Sequence, residues 1–83
     1  MQILRLRDVL AQTGHKSQSS IYGLIRAGLF VEPVQIGPRS VGWPADEVQA
    51  LNAARITGMA DADIRALVTR LHAKRGALAL QLA

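Results

Sequence analysis

The chain reads SQSSIYGLIRAG over residues 17–28, and this stretch holds the signals for the start, the two faces and the end of one helix. Ser17 suits the N-cap, because its hydroxyl can accept a hydrogen bond from an amide of the first turn. Gly28 suits the left-handed position just beyond the last turn, which glycine adopts without a steric penalty. The stretch therefore predicts a helix over residues 18–27, around which the rest of the fold is arranged.

This helix has an apolar side and a polar side. At about 100° per residue, three aliphatic residues share one side: Ile21, Leu24 and Ile25. Four residues fall roughly opposite them: Ser19, Tyr22, Gly23 and Arg26. Hydroxyls, a phenol and a guanidinium are groups that contact phosphates and base edges. Because a glycine within a helix costs about 1 kcal/mol relative to alanine, Gly23 marks either a close approach of a ligand or a small residue tolerated at the surface.

A shorter helix is predicted before it, from about Arg7 to Thr13. Its apolar side holds Leu6, Val9, Leu10 and Thr13. Asp8 lies in the first turn, where a negative charge is favoured, and Gly14 ends the helix. The preceding residues, 2–6, are typical of an edge strand or an extended lead-in.

A tight turn at residues 14–16 joins the two helices into a helix-turn-helix with its second helix facing outward. After Gly28 the pattern changes to two short strands around the turn Gly37-Pro38-Arg39-Ser40. A hairpin behind a helix-turn-helix is a wing, and Arg39 and Ser40 at its tip would touch the phosphate backbone or the minor groove of DNA. Two alternatives stay open: a helical hairpin need not bind DNA, and Arg39 could be a solvated turn residue.

A third helix is predicted from Pro44, which is tolerated in a first turn, to about residue 55 or 56. One narrow stripe holds Pro44, Val48, Leu51 and the stem of Arg55. Trp43 immediately precedes this packing helix and is distant from the outward face of the central one. We therefore interpret Trp43 as a core residue and not as a stacking platform for a base.

Charge is distributed unevenly along the chain, whose net charge is +4. Between Asp8 and Asp46 the only acidic residue is Glu32. The same interval holds three cationic residues: Lys16, Arg26 and Arg39. A surface of one sign over the outward helix is what phosphate binding requires, although basic residues also keep a small protein soluble.

The 83 residues suggest one small domain that would be marginally stable alone. The sequence has no cysteine, no signal-peptide pattern and no apolar run near the roughly 18 residues that a membrane span needs. We therefore expect a soluble, cytoplasmic protein with no membrane partner. Two distant histidines and six scattered carboxylates supply neither a catalytic pair nor a metal-ligand set, so we expect no enzyme activity, no metal and no cofactor.

The last third of the chain predicts a further amphipathic helix. Thr57-Gly58 breaks the chain, Asp61 suits an N-cap, and the helix would run over residues 62–75 or onward through Gly76. Its apolar stripe holds Ile64, Leu67, Val68, Leu71 and, beyond Gly76, Leu78. This stripe could fold back on the core, pair with a second copy or bind another protein. We favour pairing, which gives a homodimer or higher oligomer, because doubling a winged domain raises both affinity and site length.

Several motifs carry a resemblance to a known family. The most specific are Ser17-x-Ser19-Ser20-Ile21-Tyr22-x-Leu24-Ile25 and, at the expected spacing, Gly37-Pro38-Arg39-x-Val41-Gly42-Trp43. Leu4-Arg5-Leu6, Thr13-Gly14, Gly28-x-Phe30 and Glu47-Val48 accompany them. Over residues 3–57 the chain resembles the AlpA family of prophage transcriptional regulators, whose winged helix-turn-helix is akin to MerR-type and excisionase domains.

The resemblance implies a mainly α fold with a small β-hairpin, a winged helix-turn-helix over residues 1–58. The C-terminal helix and tail over 59–83 lie outside the resemblance and are predicted from the apolar stripe. The resemblance also implies a DNA-binding transcriptional regulator of phage type; the alternatives are an excision directionality factor and a protein-interaction adaptor acting through the C-terminal helix. The predicted DNA contacts are Lys16, Ser17, Gln18, Ser19, Ser20, Tyr22, Arg26, Arg39 and Ser40. Three features depart from the family pattern: a longer turn at residues 15–16, Gln18 in place of a basic residue, and Gly23 in place of a frequent arginine.

Overall fold

The computed structural model describes residues 2–82, which form four helices and a three-stranded antiparallel sheet. The elements in chain order are β1 Ile3–Leu4, α1 Leu6–Thr13, α2 Gln18–Arg26, β2 Val34–Gly37, β3 Ser40–Pro44, α3 Ala45–Ile56 and α4 Asp61–Leu82. This order confirms the predicted mainly α fold: a helix-turn-helix (α1 and α2), a wing (β2 and β3), and an additional C-terminal helix. No helix in this part of the chain is both long enough and apolar enough to cross a membrane.

The ends of α1 and α2 lie where the sequence signals predicted them. Gly14 ends α1 with a φ of 78° and Gly28 follows α2 with a φ of 77°, both in the left-handed region. The Ser20 amide donates to the Ser17 hydroxyl at 3.3 Å, which is the predicted N-cap bond. Helix α1 begins at Leu6, one residue before the predicted start. These ends leave only residues 14–17 to form the turn between the helices.

Strand β3 lies in the middle of the sheet, between β1 and β2. Leu4 is opposite Trp43 and Val34 is opposite Gly42. A Cβ atom at Gly42 would collide with the Cγ2 of Ile3 and would lie 3.0 Å from the Leu4 carbonyl oxygen. Glycine is therefore required at this position, and it lets β1 pack closely on the base of the wing. The prediction of an edge strand near the N-terminus is confirmed.

The core takes apolar side chains from the helices, the sheet and the connection between α2 and β2. Its members are Leu4, Val9, Ile21, Phe30, Val31, Trp43, Ala45, Val48, Leu51, Ala54, Ile64 and Val68. Trp43 is fully buried and its Nε1 donates to the Val31 carbonyl oxygen at 3.0 Å. The interpretation of Trp43 as a core residue is therefore confirmed.

Helix α3 starts one residue later than predicted. Pro44 pairs with Ile3 as the last residue of β3, and its ψ of 127° is extended, so it precedes the helix and does not open it. Val48 and Leu51 are buried as expected. Arg55, whose stem was predicted to join the same stripe, is exposed and forms an ion pair with Asp61 at 3.3 Å.

Helix α4 runs through Gly76 without a break and folds back on the rest of the chain. The carbonyl oxygen of Ala60 accepts from the amides of residues 63 and 64, so Asp61, predicted as the N-cap, is instead the first helical residue. Ile64 and Val68 are 0% and 5% exposed within the chain. The two residues belong to the core of their own chain, and the prediction that they form an interface with a second copy is therefore wrong. Leu67 and Leu71 pack partly on the same core, and Leu78 is half-buried.

Candidate nucleic-acid interface

The first turn of α2 and the residues just before it are exposed and polar. This segment holds Lys16, Ser17, Gln18, Ser19 and Ser20. The hydroxyls of Ser17 and Ser20 lie 3.2 Å apart and belong to the N-cap arrangement. Within residues 2–82, Gln18 and Ser19 form no side-chain hydrogen bond, so their polar groups are free to meet a ligand.

The core determines which side of α2 faces outward. Ile21 is fully buried, so the opposite side of the helix, with Ser19, Gly23 and Arg26, is turned away from the core. A Cβ atom added at Gly23 would meet only Nη2 of Arg26, at 3.9 Å. Packing within the described residues therefore does not account for this glycine. The open space beside its backbone is compatible with the close approach of a ligand.

Tyr22 occupies a different position from the one predicted. It is half-buried, and its ring centroid lies 6.3 Å from that of Trp43 in an edge-on arrangement with an interplanar angle of 70°. The reason is that Tyr22 lies at the border between the two sides of α2, where an aromatic ring gains by packing on its neighbour. Its assignment to the outward face is therefore corrected to a boundary position.

The tip of the wing is a two-residue turn between the paired residues Gly37 and Ser40. Arg39 is exposed and has a φ of 62°, the one positive φ at a residue other than glycine within residues 2–82. Proline followed by a residue with positive φ is the pattern of a type II turn, whose third position favours glycine or asparagine. Arginine there is strained by about 1 kcal/mol or more, and such strain is concentrated at functional sites.

Two cationic residues that sequence reasoning missed lie close to the wing. Arg5 and Arg7 line the same open hollow as Arg39, with Asp8 and Val41, and its volume is about 480 Å³. Three arginines and one aspartate thus line one concave surface at the start of α1. The alternating sequence Leu4-Arg5-Leu6-Arg7 was the available signal, because it turns both arginines away from the apolar residues.

The cationic side chains of this region have no acidic partners. In the part of the chain that the structure describes, the ion pairs are Arg55–Asp61 and Arg75–Glu47, and both involve α3 and α4. Arg5, Arg7, Arg26 and Arg39 take part in neither ion pair, so their charges are available for phosphate binding. Ser40 is half-buried beside the tip.

The two histidines lie in different parts of the fold. Within residues 2–82 no three His, Cys, Asp or Glu side chains are grouped closely enough to hold a metal ion. His72 instead accepts a hydrogen bond from the Glu32 amide through its Nε2, at 3.1 Å. His15 lies half-buried in the turn between α1 and α2.

Comparisons with known proteins extend over the region that holds α1, α2 and the wing. The family described as prophage CP4-57 regulatory protein (AlpA) matches residues 2–56. An uncharacterized protein, ORF88 of Enterobacteria phage P4, is 42% identical over 57 residues, or 69% of this chain. The match spans 64% of that relative's length. No solved structure matches the chain. The chain therefore belongs to the AlpA family of prophage regulatory proteins.

Proposed function

We propose that the protein is a sequence-specific, DNA-binding transcriptional regulator of phage type. In this proposal α2 enters the major groove and the wing at residues 37–40 contacts the DNA backbone. The observation that carries the proposal is that the outer side of α2 and the tip of the wing hold exposed cationic and polar groups without partners in the described part of the chain. Membership of a prophage regulatory family supports the regulatory role.

Base contacts come from the first two turns of α2. Gln18 and Ser19 are exposed and able both to donate and to accept hydrogen bonds. Recognition helices of the helix-turn-helix class use their N-terminal residues in this way. Ser17 and Ser20 hold the first turn in place, and Lys16 adds a phosphate contact beside it. Arg26, at the opposite end of the helix, contacts a base edge or the flanking phosphate.

The wing contacts phosphates through Arg39, together with Arg5 and Arg7 from the start of α1. Three arginines around one hollow can approach adjacent phosphates of a strand, and the strained φ of Arg39 aims its side chain from the tip. Ser40 supplies a hydroxyl beside it. These contacts fix the orientation of α2 in the groove but carry no sequence information themselves.

The protein binds DNA in the cytoplasm as a homodimer. A groove of about 490 Å³ lies between the second half of α4, the start of α3 and the sheet, and Leu71, Leu78 and Ile3 contribute to its apolar lining. Asp46 and Lys74 lie on this groove and carry opposite charges. In a two-fold symmetric pair, Lys74 of one copy can therefore meet Asp46 of the other while the apolar residues are covered. Leu78→Glu should convert the dimer to a monomer in sedimentation; an unchanged mass would exclude this groove as the interface.

An excision directionality factor would make the same DNA contacts, and the family's description as a regulatory protein favours transcription. The two are separated by measuring transcription from the adjacent promoter and excision of the element in the same strain. A protein-interaction adaptor, in contrast, would depend on Leu67, Leu71 and Leu78 and would not need duplex DNA.

The proposal is tested by titrating a labelled duplex from the DNA flanking the protein's own gene, over a range of salt concentrations. Arg39→Ala should weaken binding and lower the slope of log K against log salt by about one unit, as one lost phosphate contact predicts. Arg26→Ala should in addition lower the preference for this duplex over an unrelated one. Arg70→Ala is the matched control, because Arg70 is an exposed arginine on α4. Absence of salt-dependent binding by the wild-type protein would overturn the proposal.

A further inference from the structure

The connector between α2 and the wing, residues 27–33, is held at its first end by α4. The Nε of Arg65 donates to the carbonyl oxygen of Ala27 at 2.9 Å. The Cγ of the same side chain lies 3.6 Å from the position that a Cβ atom would take at Gly28. Arg65 therefore covers the C-terminal end of α2, where a cation also interacts favourably with the helix dipole.

The second end of the connector is held by the same helix. The Glu32 amide donates to Nε2 of His72 at 3.1 Å, and the Glu32 carbonyl oxygen accepts from Nη2 of Arg75 at 2.8 Å. Arg75 also forms a two-point ion pair with the carboxylate of Glu47, which is 7% exposed. Both backbone groups of Glu32 are thus fixed just before β2 begins.

The three contacts come from one side of α4. Arg65, His72 and Arg75 are separated by seven and three positions, which places them within about a quarter of the helix circumference. Ile64 and Val68 are buried in the core beside them, so the helix cannot shift without exposing apolar surface. The family match ends at residue 56, so the three α4 side chains lie outside the matched region, whereas the backbone groups that they hold lie within it.

We infer that α4 is a positioning element for the DNA interface. Arg65, His72 and Arg75 set the placement of α2 relative to the wing, and they raise DNA affinity without touching DNA. The physical reason is that α2 and the wing must engage one duplex simultaneously. Phe30 and Val31 anchor the middle of the connector in the core, and the three α4 side chains fix its two ends. Freedom in the connector would have to be lost again on binding, which lowers the affinity. This inference rests on the proposed function.

The test compares variants of the full-length chain at a temperature well below their melting transitions. Arg65→Ala removes the contact to Ala27, and Arg70→Ala removes the same charge from the same helix where no such contact exists. His72→Ala removes the acceptor for the Glu32 amide, whereas His72→Gln keeps an oxygen that can accept it. Affinity is measured for the duplex flanking the gene and for an unrelated duplex of equal length, each over a range of salt concentrations.

Arg65→Ala should bind the specific duplex about 10-fold more weakly than Arg70→Ala, because the freed connector must be ordered again on binding, and its salt slope should be unchanged. Binding to the unrelated duplex should change little, because a loosened connector still allows phosphate contacts. His72→Gln should recover most of the affinity that His72→Ala loses. A merely structural role would instead lower the melting temperature and leave the affinity of the folded fraction unchanged.

The outcomes separate the inference from the proposed function. If the wild-type protein binds the duplex and Arg65→Ala equals Arg70→Ala in affinity, the positioning role is overturned and the DNA interface stands. If Arg65→Ala lowers the salt slope by about one unit, Arg65 contacts a phosphate directly and the inference is also overturned. If the wild-type protein binds no duplex, both the inference and the proposed function are overturned.

Discussion

The two ends of α2 differ in whether the polar groups near them already have hydrogen-bond partners within the protein. At the first turn Gln18 and Ser19 face solvent and have no partner among residues 2–82. Beyond the last turn, the Ala27 carbonyl and both backbone groups of Glu32 are bonded to side chains of α4. Polar groups that are already paired belong to the fold, whereas exposed groups without partners are available to a ligand. The predictions that follow test this division.

The largest expected effect is a loss of stability at the end of α2 that α4 supports. Ile64→Ala should lower the free energy of unfolding by about 3 kcal/mol, because it leaves a cavity at a fully buried position. Leu80→Ala on the same helix is the matched control, since Leu80 is 82% exposed and its loss should change stability by less than about 0.5 kcal/mol. Urea denaturation followed by circular dichroism measures both. Equal effects would mean that α4 does not pack on the core.

The ion pair between Arg75 and Glu47 should have the next largest effect. Arg75→Met leaves the nearly buried Glu47 carboxylate without its cation and should lower stability by about 2 kcal/mol. This is less than a fully buried pair would lose, because the Arg75 side chain is still 24% exposed. Arg70→Met is the control, because Arg70 is an exposed arginine on the same helix that forms no ion pair within residues 2–82. If the two variants unfold at the same urea concentration, the pair does not support the fold.

Alanine substitutions of Ser17 and Ser19 should distinguish a hydroxyl that stabilises the fold from one that contacts DNA. Ser17→Ala removes the N-cap bond to the Ser20 amide and should lower stability by about 1 kcal/mol. Ser19→Ala removes an exposed hydroxyl that forms no hydrogen bond within residues 2–82, so it should leave stability within about 0.5 kcal/mol of wild type while weakening specific DNA binding. Thermal melting and duplex titration are run on both variants. A large loss of stability in Ser19→Ala would contradict the assignment.

Gly23→Ala should raise the stability of the protein and lower its affinity for the specific duplex. Alanine raises helix propensity by about 1 kcal/mol, and the added methyl group meets only the end of Arg26. The variant should therefore melt at a higher temperature but bind the specific duplex more weakly, because the methyl group blocks the close approach of DNA. Gly76→Ala, at an exposed position of α4 where an added Cβ atom would meet nothing in the described residues, is the control for helix propensity alone. Unchanged DNA affinity in Gly23→Ala would mean that this glycine is simply tolerated at the surface.

Sequence reasoning succeeded where the determining interactions are local. Ser17 and Gly28 specify the ends of α2 through groups no more than a few residues away, and the Gly-Pro pair at 37–38 specifies the turn of the wing. It failed where distant segments meet. Glu47 and Arg75 are 28 positions apart, and no local pattern reveals that one is buried against the other.

The same limit applies to the candidate interface. Arg5 and Arg7 join Arg39 only because β1 pairs with β3, a contact that the charge pattern along the chain does not contain. The position of Tyr22 depends on Trp43, which comes from another element. The apolar stripe of α4 was predicted correctly as a stripe, but periodicity does not distinguish a core of the same chain from a second copy.

The most direct test of the central claim is a map of amide chemical shifts in the isotope-labelled protein as the duplex flanking its gene is added. The proposed interface predicts that the largest changes fall on residues 16–26, 39–40 and 5–7, with little change on the exposed side of α4 around Arg70. Changes confined to α4, or no changes at low salt, would contradict the assignment of α2 and the wing as the DNA-binding surface.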